Sequence, residues 1–421
     1  MRATKNSGFE WIGEIPTSWE LYKGKYMFTQ RNLRGNTIEL QLLSPTQKYG
    51  VVPQSVYEDR SGMNAVKLNE NANLSALKTI HKGDFCISLR SFQGGFEYSE
   101  YEGVVSPAYQ VFYPVVKVAR GYYKYLFKDS GFIEKMNSYT MTLRDGKNIA
   151  FADFGNTYIP CPPVDEQQRI ADFLDAKCAE IDALTADIQT QIDTLEQYKR
   201  SVITETVTKG LNPAAETKDS GIQWIGNMPA HWDVIRGKYI LRYMQKPVRE
   251  DDGVITCFRD GEVTLRSNRR EDGFTMSDKE IGYQGIDVGD LVVHGMDGFA
   301  GSIGISDSRG KASPVLNVLD TDQCKRYIMY YLRSMAYSDV FLALATGIRV
   351  RSCDLRWNKL AELSYPVPPL GEQEAIVEHI DAVLIKADAV IFDKKAQLAA
   401  LDEYKKSLIF EYVTGKKGVK I

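Results

Sequence analysis

Ser7-Gly8-Phe9-Glu10-Trp11-Ile12-Gly13, followed by Pro16, Trp19 and Gly24-Lys25-Tyr26, is written a second time 213 residues on. The second copy reads Ser220-Gly221-Ile222-Gln223-Trp224-Ile225-Gly226, with Pro229, Trp232 and Gly237-Lys238-Tyr239. Another block, Pro160-Cys161-Pro162-Pro163 with Glu166-Gln167, recurs after 206 residues as Pro366-Val367-Pro368-Pro369 with Glu372-Gln373. Gly83-Asp84 and Gly289-Asp290 keep that 206-residue spacing, while Ser106-Pro107 and Ser313-Pro314 stand 207 apart. An ordered set of motifs at nearly constant spacing means one unit duplicated in tandem, with small insertions and deletions confined to loops. The 421 residues therefore divide into two like units, each long enough to bury its own core.

After each Pro-Pro pair the pattern changes to that of a long helix. Asp165 with Gln168, and Gly371 with Glu374, are expected to open the two helices through capping-box contacts to free backbone N–H groups. Leu174, Ile181, Ile188, Leu195 and Val202 then recur every seven residues, with Leu184 and Tyr198 assigned to the inward positions between them, which is the pattern of a coiled-coil seam. The second copy keeps Ile380, Leu401 and Leu408, with Tyr404 between, but places Ala387 and Lys394 in register. A weaker seam is expected there, in which Lys394 snorkels or marks the register. Helices of about 45 residues are on the order of 65 Å long at 1.5 Å per residue, too long to hide in one domain. A stripe of that length needs a partner. Antiparallel pairing of the two copies, giving a pseudo-two-fold molecule, is expected ahead of separate packing of each helix on its own domain. The segments between carry short β-rich runs bounded by Gly, Asn and Asp, with a helical stretch each, so the fold class is α+β. The expected divisions are residues 1–160 and 212–367 as globular domains, 161–211 as a central helix and 368–421 as a C-terminal helix.

Composition is that of a packed soluble protein: 43% hydrophobic, 11% aromatic, 25% charged, mean hydropathy −0.30. No secretory signal or membrane-spanning run is apparent, so a cytoplasmic location and no membrane partner are expected. The six cysteines form no Cys-x-x-Cys pair and are expected to be reduced thiols. His81, His231, His294 and His379 stand far apart, without metal-ligand spacing. No nucleotide-binding glycine loop, nucleophile elbow, dinucleotide fingerprint or amino-methyltransferase signature occurs, and acid pairs such as Asp251-Asp252 read as solvated turn surface. A non-catalytic chain without metal or cofactor of its own is expected.

The net charge of −3 hides an uneven distribution. Residues 1–160 hold 19 Lys+Arg against 15 Asp+Glu, whereas residues 161–211 hold 5 against 10, so an acidic helix masks basic loops. Arginine reads guanine edges and grips phosphates, and amides read adenine, so basic clusters interleaved with Asn and Gln suit DNA recognition. The candidate DNA-binding residues of the first unit are Gln47, Lys48, Tyr49, Arg90, Ser91, Gln93, Arg144, Lys147 and Asn148. Those of the second are Arg259, Arg266, Asn268, Arg269, Arg270, His294, Met296, Asp297, Arg349 and Arg351. Such clusters fall at equivalent places in both units, which favours a function over a merely solvated loop.

The duplicated Trp-Ile-Gly…Pro…Trp opening, the Gly-Asp strand, the Pro-Pro-x-x-Glu-Gln helix start and the helix exit Tyr198-Lys199-Arg200-Ser201, repeated as Tyr404-Lys405-Lys406-Ser407, resemble the specificity subunits of type I restriction-modification enzymes. The resemblance covers nearly the whole chain. It implies a non-catalytic subunit with two target-recognition domains separated by two antiparallel spacer helices, each domain reading half of a split double-stranded DNA target. Two modification subunits would bring S-adenosylmethionine and adenine methylation, and restriction subunits would bring ATP, Mg2+ and cleavage. A protein- or glycan-binding scaffold with two variable domains on a coiled-coil frame is the competing class. On the resemblance, inserting one helical turn between Leu184 and Leu195 should lengthen the non-specific gap in the target, and methylome sequencing that finds an unchanged gap would refute the spacer role.

Overall fold

The computed structural model of the protein describes residues 2–34, 40–65, 74–88, 95–139, 149–269, 281–344 and 355–419. Two compact units emerge, one made of residues 1–188 with 396–421 and the other of residues 189–395.

Each unit is built on the same antiparallel four-stranded sheet. In the first the strand order is Phe28–Gln30, Tyr109–Pro114, Phe85–Ser88, Glu97–Tyr98; in the second it is Leu241–Met244, Leu316–Thr321, Leu291–His294, Ile303–Ile305. Among the described residues four two-stranded ribbons accompany each sheet and also correspond one to one, including the hairpins Leu43–Thr46/Gly50–Pro53 and Ile255–Cys257/Val263–Leu265. The globular parts are thus far more alike than their side chains suggest, because strand pairing is carried by the backbone and tolerates replacement of nearly every residue. Alternate residues of the sheet face two cores. Phe85 and Phe112 join a cluster with Phe28, Phe96, Phe127 and Phe154, while Cys86 and Val111 face a smaller core under the hairpin. Leu291, Val293 and Leu319 against Val292 and Val318 repeat this division in the second unit.

The duplicated motifs hold this frame together. Asp84 is fully buried at the turn before its strand, and its carboxylate accepts from Arg31 Nε (2.6 Å) and the His81 N–H (3.0 Å). Asp290 does the same with Lys246 Nζ (2.7 Å) and the Asp287 N–H (2.9 Å). Gln167, also fully buried, accepts from the Ala119 N–H (2.9 Å) and donates to the Pro162 carbonyl (2.8 Å). Gln373 repeats the clamp on the Cys324 N–H (3.0 Å) and the Pro368 carbonyl (2.9 Å). Asp252 belongs to this buried class as well: contrary to the solvated turn expected, its carboxylate accepts from the Arg249 N–H (2.8 Å) and faces Arg309 (3.2 Å).

The long helices are Val164–Lys209 and Leu370–Val413. They do not open on capping boxes. The first intrahelical acceptors are Pro163 and Pro369, so Asp165 lies inside the first turn, where it pairs with Arg169 (2.8 Å), and Gly371 is helical. Each unit takes the beginning of one long helix and the end of the other. In the first unit the Phe173 and Tyr412 rings lie 4.5 Å apart and Lys405 reaches Asp182 (2.6 Å). In the second, Lys394 donates to Gln191 and Lys199 to Asp388 (2.5 Å). Partner numbers fall along one helix as they rise along the other, so the pairing is antiparallel within each unit and separate packing is excluded. Lys394 therefore meets a specific acceptor on the facing helix. The far helix end is also held. Tyr122 donates to the Val413 carbonyl (2.6 Å) and Tyr327 to the Val207 carbonyl (3.1 Å), each a last-turn acceptor without an intrahelical partner. Gly415 (φ 77°) and Gly210 (φ 73°) close these ends in the left-handed region, and a Cβ there would stand 3.0 Å from Trp19 and 3.1 Å from Trp232, respectively.

The seam itself differs from its sequence reading. Leu174, Ile181, Ile188, Ile380 and Leu408 are buried and Leu195, Val202 and Leu401 half-buried, but Leu184 (47%), Tyr198 (51%) and Tyr404 (56%) are exposed. The inward positions are instead Cys178, Thr185, Ile192 and Lys199, and Leu384, Ile391, Leu398 and Lys405, each four residues after a heptad position. At 3.6 residues per turn a step of four lands about 40° from the stripe and a step of three about 60° to its other side, so the polar residue at four wins over the apolar one at three. Lys199 and Lys405 are tolerated because each ammonium emerges to an exposed aspartate. Changing either lysine to Met should move unit stability by no more than about 1 kcal/mol, which a thermal melt can check.

Candidate nucleic-acid interface

The hairpin over the smaller core is where the two units diverge. In the first unit its turn is Gln47-Lys48-Tyr49, with Gln47 and Lys48 exposed, and it is tied down by Thr46 Oγ1, which accepts from the Tyr49 N–H (2.9 Å). The strand leads directly into a helix, Gln54–Ser61. Lys48 Nζ and the Arg60 guanidinium lie 5.2 and 5.8 Å from the Tyr49 ring, and Tyr49 Oη donates to the Arg60 carbonyl (3.1 Å). A cleft of 810 Å³ opens beside the turn, with Gln47, Tyr49, Tyr57, Arg60 and Tyr109 among its walls. Arg60 and Tyr57 were not among the expected residues. No spacing marked them, since only the helix after the hairpin brings them back over the turn.

Lys128 underpins the same turn from behind, donating to Glu97 (2.7 Å) and to the Gln47 carbonyl (3.4 Å). Burial raises the Glu97 carboxyl to about 7 despite the ammonium of Lys128, and its Oε2 has no hydrogen-bond partner among the described residues. A carboxyl raised from about 4.5 binds more protons folded than unfolded, so this contribution to stability is present below pH 4.5 and is lost as pH rises to about 7. Glu97→Gln should flatten the fall in stability between pH 5 and 8 by about 2–3 kcal/mol. Chemical denaturation across that range checks it, and parallel curves for the two proteins would refute it.

In the second unit the turn is longer, residues 258–262, and a 3-10 turn, Arg266–Asn268, follows in place of the helix. Arg269 folds back over the Phe258 ring (4.2 Å) and pairs with Asp260 (2.8 Å) and Glu262 (3.0 Å), so it braces the hairpin. Asn268 donates to Thr264 Oγ1 (2.8 Å), and Arg266 Nε lies 3.3 Å from Thr256 Oγ1. Arg259, 66% exposed, reaches Asp297 (3.1 Å), which joins this turn to the loop His294-Gly295-Met296-Asp297. His294 Nδ1 accepts from the Met296 (3.2 Å) and Asp297 (2.9 Å) N–H groups, so the proton sits on Nε2. Burial lowers its pKa, Arg259 adding to the effect and Asp297 opposing it, so the ring is neutral at pH 7. Met296 is exposed. Arg259, His294, Met296 and Asp297 thus gather at one edge, beside Leu355, whose N–H donates to the Gly295 carbonyl (2.8 Å).

Arg90, Ser91, Gln93, Arg144, Lys147, Asn148, Arg270, Arg349 and Arg351 lie outside the described residues. Among the described residues no cluster of His, Cys, Asp and Glu is placed to hold a metal ion, and five cysteines are free thiols. Nor is any described helix long and apolar enough to cross a membrane.

A frame of the same sheet and ribbons written twice, with hairpins that differ, defines a protein of two similar tandem units. Residues 17–194 match the family described as the type I restriction modification DNA specificity domain. The curated relatives that this chain resembles are named as specificity subunits of type I restriction enzymes. The chain is 26% identical over 276 residues to the putative type I restriction enzyme MjaX specificity subunit of Methanocaldococcus jannaschii, covering 62% of this chain and 60% of that relative. It is 24% identical over 303 residues to the MjaVIII specificity subunit of the same organism, covering 67% and 68%. Among solved structures, a chain from a study of complex assembly in the type I R-M system shares the fold with a TM-score of 0.68 at 15% identity, covering 96% of this chain and 99% of that one. The HsdS subunit from Thermoanaerobacter tengcongensis matches with a TM-score of 0.52 at 15% identity, over 98% and 100%.

Proposed function

We propose that this chain is the DNA-reading subunit of a type I restriction-modification complex, each unit reading one half of a split, asymmetric duplex target. The observation that carries the reading is the contrast within each unit. Sheet, clamps and helix ends are repeated element for element, while the hairpin turn and the segment after it differ in length, secondary structure and exposed side chains. A constant frame with a changed edge is what two different half-sites require. The groups suit base edges: an exposed amide and cation in one unit, an exposed arginine beside a half-buried imidazole in the other. Catalysis would belong to partners, two modification subunits supplying S-adenosylmethionine and adenine methylation, and restriction subunits supplying ATP- and Mg2+-dependent cleavage. The test is to co-express the chain with its modification partner and map adenine methylation by single-molecule sequencing. A bipartite motif with a fixed gap is expected; no new methylation, or one undivided motif, would overturn the reading.

A further inference from the structure

If the units read different half-sites, side chains that contact bases must differ between them. Side chains kept identical either hold the frame or meet something common to both half-sites. Trp19/Trp232 and Gln167/Gln373 are buried and hold the frame. Lys23-Gly24-Lys25-Tyr26 and its counterpart Arg236-Gly237-Lys238-Tyr239 are different, for Tyr26 is 62% and Tyr239 74% exposed, and Lys25 and Lys238 are exposed as well. Intramolecular packing gives no reason to keep an aromatic ring there twice.

The local geometry is also kept. Each segment ends a strand and turns once, with Lys25 Nζ and Lys238 Nζ both 5.5 Å from the adjacent tyrosine ring. The glycines let the turn press on a short helix, since a Cβ would stand 2.6 Å from the Phe154 carbonyl oxygen at Gly24 and 2.3 Å from that of Leu360 at Gly237. Those helices, Phe151–Asn156 and Trp357–Leu360, come soon after the stretches carrying Arg144, Lys147 and Asn148, and Arg349 and Arg351. Among the described residues positive charge exceeds its neutralisation in both places. Lys25 contacts the amide oxygen of Asn156 (3.3 Å), and Arg236 and Lys238 share the single carboxylate of Glu362 (2.9 and 3.0 Å).

We propose that these two turns grip the sugar-phosphate backbone of duplex DNA, the cations and the phenol hydroxyl meeting phosphate oxygens irrespective of sequence. The inference rests on the DNA-reading function and adds a positioning role to it. Phosphate contacts set register and orientation without selecting bases, which is why the same residues serve both units.

The test uses the full chain and two fluorescent duplexes of equal length, one bearing the motif found by methylome mapping and one scrambled, with anisotropy measured at several salt concentrations. Lys25→Ala with Lys238→Ala should weaken both duplexes by a similar factor, about 5–20-fold, and flatten the salt dependence by about two counter-ions. Lys25→Arg with Lys238→Arg should restore most of the binding, and melting temperatures should stay at the wild-type value because the side chains are exposed. Loss of the target duplex alone would mean base reading and overturn the inference. So would unchanged DNA binding accompanied by loss of a co-purifying protein. If Arg259→Ala abolishes preference for the target while the lysine pair has no effect, this inference fails and the DNA-reading function stands; a wild-type chain that binds neither duplex overturns both.

Discussion

Asp84→Ala should destabilise the first unit by about 3–5 kcal/mol, because it removes one partner of a buried ion pair and leaves the other uncompensated. The Asp84 side chain is wholly inaccessible and Arg31 Nε lies 2.6 Å away with only a fifth of its side chain exposed. The His81 N–H loses its acceptor in the same step. For a unit of this size the melting transition should fall by roughly 10 °C, while the second unit's transition moves little. Differential scanning calorimetry separates the two. Asp290→Ala should produce the reciprocal result, since Lys246 plays the part of Arg31 there. A shift below about 2 °C in both variants would mean that the duplicated Gly-Asp motif is kept for something other than the turn it holds.

Arg259→Ala should weaken binding to the specific target by about 10–100-fold, the cost of about 1–3 kcal/mol for one lost base-edge contact, and relax recognition at one half-site while leaving the other intact. Two features set it apart from Arg269 of the same hairpin. Its guanidinium is mostly exposed and held by one exposed carboxylate, Asp297, that fixes its direction. Arg269, by contrast, is spent on Asp260, Glu262 and the Phe258 ring, so Arg269→Ala should act through hairpin stability and weaken binding without changing the bases preferred. Methylome mapping of cells carrying each variant discriminates the cases; a target change confined to Arg269→Ala would invert the assignment.

Much of the frame is legible in the sequence. Trp19, Trp232, Gln167, Gln373, Asp84 and Asp290 all stand out as duplicated residues, and each proves to be buried within it, the amides and carboxylates through specific hydrogen bonds. The seam is legible in period but not in phase. Leu184, Tyr198 and Tyr404 are the apolar choices, yet the helix turn favours the residue one further on, and Lys199 and Lys405 lie there because a lysine can bury its stem and still reach Asp388 and Asp182. The hairpin surfaces are legible only as clusters of charge. Nothing in spacing distinguishes Arg259, which reaches outward, from Arg269, which folds back on its own turn, or brings Arg60 over Tyr49.

A duplicated α+β chain with two long helices could be deduced from the order of residues alone, because repeat order and heptad period are properties of one dimension and survive in the text. Folding in three dimensions was needed to establish that the two globular parts share each ribbon among the described residues, that each unit is completed by the end of the other copy's helix, and which charged side chains are exposed. Those outcomes depend on backbone pairing and on competition between neighbouring charges. Both are set by distances between residues far apart in the chain, which no spacing along it records.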